Sequence, residues 1–262
     1  MGDFLRTPGV ERHGRLDCET PQSALESYCS ILEASPRDLK RRFAEFDLEA
    51  TYGDQLLGPP SEEVVYRGVL NREERRFQPL ECCWFHATRA LPGTAFSKGI
   101  LPTSQVANDL WQLVRTCDPT PPPETTWTRF RQAVESEQLG HSSSLYGLKL
   151  KLPGPFAFLI QEELDHLGQT TSVDYFKSAE TIEDICLCYE AYFGRPLLPA
   201  VQARTQPCVV KFVARLPERV MDTVALYLYL HQQGRPAFKV NTCFDGKGVA
   251  VQPDQVLSIT WR

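Results

Sequence analysis

Residues 81–102 read ECCWFHATRALPGTAFSKGILP, and their placement decides the fold. Cys82, Trp84 and His86 alternate with Cys83, Phe85 and Ala87, so both faces of an extended chain are apolar until an imidazole and the Thr88 hydroxyl close the run. A run that is apolar on both faces belongs to a strand buried in a sheet. Polar groups at the carboxyl end of such a strand are where open sheets present ligands. Gly93 and Gly99 then break the chain ahead of Ile100, Leu101 and Pro102. The spacing predicts a strand that delivers His86 and Thr88 into a cleft, a short connection, and a Gly-Ile-Leu-Pro turn. The plainer role for His86 is that of a hydrogen-bonded residue at a strand boundary.

Upstream, a helix is predicted from Ser23, with Glu26 completing a capping box, and a second from Pro36 after Ser35, with Leu39, Phe43 and Phe46 as its apolar stripe. Lys40, Arg41 and Arg42 read as a solvated face. Residues 1–20 carry no period and read as a mobile arm, and Gly58-Pro59-Pro60 ends a helical cap over 21–60. Glu63–Leu70, rich in β-branched and aromatic residues, reads as a strand containing Tyr66-Arg67-Gly68.

Downstream, a helix over 104–116 carries Val106, Leu110, Leu113 and Val114 toward the core, and another spans 127–138. Leu145–Lys151 alternates as a strand, and Phe156–Ile160 forms a further apolar one. Ser178–Phe193 is the clearest helix, with Glu180 and Glu183 in its first turn. Pro207–Ala214 is a strand, Met221–His231 is helix or strand, Phe238–Phe244 is a strand, and 248–259 reads as two strands joined at Pro253.

The whole chain narrows the possibilities. Its 262 residues carry a net charge of −5, without the basic footprint that nucleic acid requires. Nine cysteines, several inside apolar runs, behave as small core hydrophobes of a reducing compartment. The first residues lack the apolar region of a Sec signal, and the longest apolar stretch, Val224–Leu230, is too short to span a bilayer. Cys186-x-Cys188 has no second pair at ligand spacing, so no metal site is expected.

His86-x-Thr88 with Gly99-Ile100-Leu101 resembles the first motif of the ADP-ribosyltransferase fold, in which a strand ending in His-x-Thr, a short helix and a Gly-[Ile/Phe/Leu] turn hold the nicotinamide end of NAD. The resemblance implies an α+β protein, with a split β-sheet core over 61–262 behind the helical cap. It implies NAD as cofactor and places His86, Ala87, Thr88, Arg89, Phe96, Gly99, Ile100 and Leu101 against it. The arginine branch of the family instead uses a strand ending in Arg-Gly to hold the pyrophosphate, which brings in Arg67 as the alternative anchor. Tyr146, Tyr175 and Phe156 are the candidates for stacking on nicotinamide.

The family also places a glutamate on a late strand, and here the nearest acid is Asp245, in Cys243-Phe-Asp-Gly-Lys247. That departure resembles the atypical bacterial effectors that modify a threonine of ubiquitin. It implies a protein substrate with a hydroxyl acceptor, ubiquitin among the candidates, in the cytoplasm or in a host cytosol reached without a Sec signal. Two alternatives stand beside it: a binding module of the same fold without catalysis, and a nucleic-acid-modifying toxin. For the last, Phe156 and Phe158 resemble the strand used by the DNA-modifying branch, but Gln161-Glu162-Glu163 stands where that branch has an arginine.

Overall fold

The computed structural model describes residues 10–12, 14–52, 61–70, 76–78, 81–152, 154–168, 174–215, 220–237 and 240–262. The expected break at Gly58-Pro59-Pro60, the first nine residues of the expected arm, and Phe238 lie outside them. The protein is mixed helix and sheet, with an open sheet, in keeping with the α+β class. Its chain divides into two compact units: 1–85 with 158–166 and 213–243, and 86–157 with 167–212 and 244–262.

In the first unit, β1 (Val10–Arg12) pairs in parallel with β3 (Arg76–Gln78). β2 (Arg15–Leu16) pairs in parallel with the start of β4 (Glu81–Ala90), so part of the expected arm is held in a sheet. α1 (Pro21–Leu32) begins two residues earlier than predicted. Thr20 is the cap: its Oγ1 accepts from Ser23 N at 3.0 Å while the Thr20 N–H donates to Ser23 Oγ at 2.9 Å, and Pro21 presets the first turn. Glu26 instead accepts from Gln22 one turn back. α2 (Pro36–Glu45) buries Leu39 and Phe43, and Arg41 pairs with Asp38 and Glu45 on its solvated face. α3 (Leu48–Tyr52) follows.

The stretch predicted as a strand around Arg67 is a helix, α4 (Ser61–Leu70). Val65, Tyr66, Val69 and Leu70 are buried, a 3.6-residue rhythm. They pack on α10 (Val220–Gln232), and tertiary burial overrides β-propensity over so short a run. Arg67 therefore ends no strand; it pairs with Glu63 one turn back. Gly68 is a packing glycine: a Cβ there would lie 2.2 Å from the Phe46 ring. α10 is buried almost all round, which is why its period was unreadable. Tyr28 donates to the Met221 carbonyl at 3.2 Å and ties α1 to it.

The second unit holds α5 (Thr103–Cys117), α6 (Glu124–Glu135), α7 (His141–Lys151), α8 (Glu180–Phe193) and α9 (Leu198–Arg204). Trp111, Trp127, Phe130 and Tyr189 form a buried edge-to-face aromatic centre. Such contacts add about 1 kcal/mol each beyond area burial. The alternation in Leu145–Lys151 predicts a strand, but these residues are the end of α7. Gly140, at φ 74°, starts the helix, and Lys149 reaches Asp184 of α8 at 2.6 Å. Two lysines in its last turn suit the negative end of the dipole.

The hydrogen-bonded sheet order is β7-β5-β4-β6-β8, with β2 beside β4; here β5 is Phe156–Phe158, β6 Gln206–Ala214, β7 Cys243–Asp245 and β8 Val256–Trp261. β4 and β5 are antiparallel with Phe85 opposite Phe158, and β6 and β8 are antiparallel with Val210 opposite Ile259. Of the two strands predicted over 248–259, only β8 forms; Val251 makes a single bridge and a short 3-10 turn follows at Pro253. The cysteines are free thiols, and eight of the nine are buried, Cys243 being the exception.

Asp118, at the end of α5, gives a pH prediction. Its carboxylate is fully buried and accepts from Arg195 Nη1 and Nη2 at 2.9 Å each, from Tyr189 and from the Thr120 N–H. Burial pulls its pKa up, but the hydrogen bonds from Arg195, Tyr189 and Thr120 outweigh this and hold it below the usual carboxylate range. A depressed folded-state pKa gives stability that is complete above the unfolded value of about 3.9 and drains as pH falls through the folded value. Asp118→Asn is expected to lose about 3 kcal/mol, at the low end for a broken pair because Arg195 is still 36% exposed. Urea titrations from pH 7 down to pH 2 should also show a shallower acid limb for the variant.

Candidate functional site

The carboxyl half of β4 opens onto a cleft of about 420 Å³ in the second unit. Cys82 to Phe85 are fully buried, and burial relaxes at His86 and Thr88, where the strand reaches the cleft. Arg89 and Phe96 line it as well, followed by Gly99, Ile100 and Leu101 of the turn.

The turn is fixed by a long-range pairing. The Ile100 N–H donates to the Val251 carbonyl at 3.0 Å and the Val251 N–H returns the bond at 2.9 Å. Gly99 sits at φ 75° against this bridge, where a Cβ would lie 1.9 Å from Val251 O. Its N–H donates to the Phe96 carbonyl at 2.7 Å, and Phe96 itself is left-handed at φ 48°. A bulky residue held there carries backbone strain of roughly 1–3 kcal/mol.

His86 Nδ1 lies 2.8 Å from the Phe156 carbonyl. A carbonyl only accepts, so Nδ1 carries the proton. In the neutral ring Nε2 then keeps its lone pair. Burial lowers the His86 pKa from its ordinary 6.5, and the Phe156 carbonyl opposes this in part. A depressed histidine pKa contributes stability that is present above about pH 6.5 and is lost as pH falls through the folded value. An NMR titration of the imidazole should place its midpoint below 6.5. A midpoint above that would mean a charged ring and a different electrostatic site.

Comparison with protein families, with curated proteins and with solved structures finds no match for this chain. The functional reading therefore rests on the cleft.

Several residues expected at the site are placed elsewhere or otherwise engaged. Ala87 is buried and does not line the cleft. Arg89 lines it, but its guanidinium donates to the carbonyls of Phe176, Gln202 and Thr205 and to Thr205 Oγ1, the last at 3.1 Å. A cation fixed on so many acceptors braces α9 and is committed before any phosphate arrives. Tyr146 belongs to the aromatic centre, where its hydroxyl accepts from Trp111 Nε1 at 2.8 Å; an amphipathic ring on a helix packed from several sides goes inward. Tyr175 donates to Glu180 at 3.2 Å. Phe156 offers its carbonyl to His86, is 44% exposed as a residue, and does not line the cleft. Asp245 accepts from the Lys247 N–H at 2.8 Å, a turn of its own making, and does not line the cleft; Arg67, on α4, does not line it either.

Two side chains of the cleft carry no signature in the sequence: Lys98 and Asp109. Among the described residues no ion pair or side-chain hydrogen bond engages either of them. Asp109 comes from α5, where it is exposed; Val106, Leu110 and Leu113 of the same helix are partly buried and also line the cleft, while Trp111, Val114 and Cys117 are buried in the core. The sequence expectation turned all four aliphatics inward. Val114 is buried in that core and Leu110 and Leu113 pack against it from its edge while also lining the cleft; of the four, Val106 is the one outside the core cluster.

Proposed function

We propose that this chain is an NAD-dependent mono-ADP-ribosyltransferase that modifies a protein side chain. One observation carries the reading: His86 and Thr88 at the end of a buried strand line a single cleft with the Gly99-Ile100-Leu101 turn. A cavity of about 420 Å³ lies within the range of small-ligand sites and suits the nicotinamide-ribose half of NAD. Phe96, Leu101 and Leu110 offer apolar walls to a flat ring, Thr88 and neutral His86 offer polar contacts to its edge, and Lys98 offers a cation for phosphate.

NAD would supply an activated C–N bond at C1 of its ribose, with nicotinamide as leaving group. The chain's part is to hold the ring, stabilise positive charge on the sugar, and orient an acceptor. Protein is favoured over nucleic acid as acceptor by the net charge of −5. Ubiquitin, through a hydroxyl residue, is the first acceptor to try. No described helix is long and apolar enough to cross a membrane.

A second reading, binding without turnover, is favoured by one observation: Asp245, the acid nearest the family's glutamate in order, closes its own turn and does not line the cleft. Incubation with NAD and ubiquitin, followed by mass spectrometry for transferred ADP-ribose and chromatography for nicotinamide, separates the two. Adduct or released nicotinamide supports the transferase, and tight NAD binding with neither product selects the module. Absence of NAD binding by calorimetry removes both.

A further inference from the structure

We propose that Asp109, on helix α5, is the catalytic carboxylate of this cleft; the inference rests on the transferase reading and names a residue which that reading lacks. Val106, Asp109, Leu110 and Leu113 stand at i, i+3, i+4 and i+7, the spacing of one helical face, and all four line the cleft. An acid in the middle of an aliphatic stripe is a break in pattern. Leu110 and Leu113 run from the cleft to the edge of the aromatic core, and Asp109 beside them is exposed, its carboxylate accessible to a ligand in the cleft. A ligand cavity uses both, apolar walls and a sparse polar group.

Among the described residues lining the cleft, Asp109 is the one carboxylate. With Arg89 fixed on Phe176, Gln202 and Thr205, and with no described partner for Asp109 itself, its charge is free to act on a ligand. The step balances simply with water as acceptor. The bond between nicotinamide nitrogen and ribose C1 breaks and its electron pair leaves with nicotinamide. A bond forms between water oxygen and C1, and the water proton passes to the Asp109 carboxylate, which also faces the positive charge building on the sugar.

The test uses the full chain, NAD as probe and water as acceptor. Asp109→Asn keeps the shape and removes the charge, and is expected to lower kcat for nicotinamide release about 100-fold, with KM and the calorimetric Kd for NAD within about 3-fold of wild type. Asp109→Glu should restore part of the rate. A readout independent of turnover is carbodiimide labelling of Asp109, mapped by mass spectrometry, which saturating NAD should suppress. An active wild type with an equally active Asp109→Asn, or unchanged labelling under saturating NAD, overturns the role of Asp109 and leaves the transferase standing. A wild type that neither binds NAD nor releases nicotinamide overturns the transferase reading, and Asp109 with it.

Discussion

If the proposed transferase activity holds, His86→Ala is expected to lower nicotinamide release from NAD by about 100-fold or more, because the substitution removes the one imidazole among the described residues lining the cleft, the group proposed to orient the leaving ring. Its effect on folding should be smaller. The Phe156 carbonyl loses a donor at 2.8 Å, and an unsatisfied acceptor at a part-exposed site costs about 1–2 kcal/mol. The two consequences separate cleanly: calorimetric affinity for NAD and turnover measure the site, while a urea midpoint measures the strand. A variant that unfolds earlier but turns over normally would leave His86 as a strand-boundary residue, and the transferase reading would lose its main support.

Gly99→Val should be the most destabilising single change in the turn, by about 4 kcal/mol in a urea titration. The added Cβ meets backbone, 1.9 Å from Val251 O and 3.0 Å from the Gln252 carbonyl carbon, where no flexible side-chain tip can give way. The left-handed φ of 75° adds strain of roughly 1–3 kcal/mol, and parting the Ile100–Val251 bridge gives up two hydrogen bonds of about 1 kcal/mol each. Gly93→Ala is the control. It shares the left-handed φ, at 83°, but has nothing within 4 Å of the new Cβ, so it should cost only about 1 kcal/mol. Equal losses at the two positions would mean that the bridge to Val251 does not hold the turn.

The sequence alone determined the elements whose pattern is long or chemically distinctive. Cys82–Phe85 announced a strand buried on both faces, the repeated apolar spacing announced α1, α2, α5 and α8, and Gly99 before an aliphatic pair announced the turn, while α6 lies three residues ahead of its expected span of 127–138. These are properties of a residue and its near neighbours, and the chain's local stereochemistry reads them directly.

Only the tertiary structure decided the rest. Glu63–Leu70 and Leu145–Lys151 are too short for period to overrule propensity, and packing on α10 and α8 made both helices. Arg89 was expected against NAD, but the carbonyls of Phe176, Gln202 and Thr205, more than eighty residues away, hold its guanidinium. Asp109 was one acid on a helix until the cleft formed beside it. In each case the deciding neighbour is distant in sequence, and a side chain's chemistry depends on which neighbours folding brings within a few ångströms.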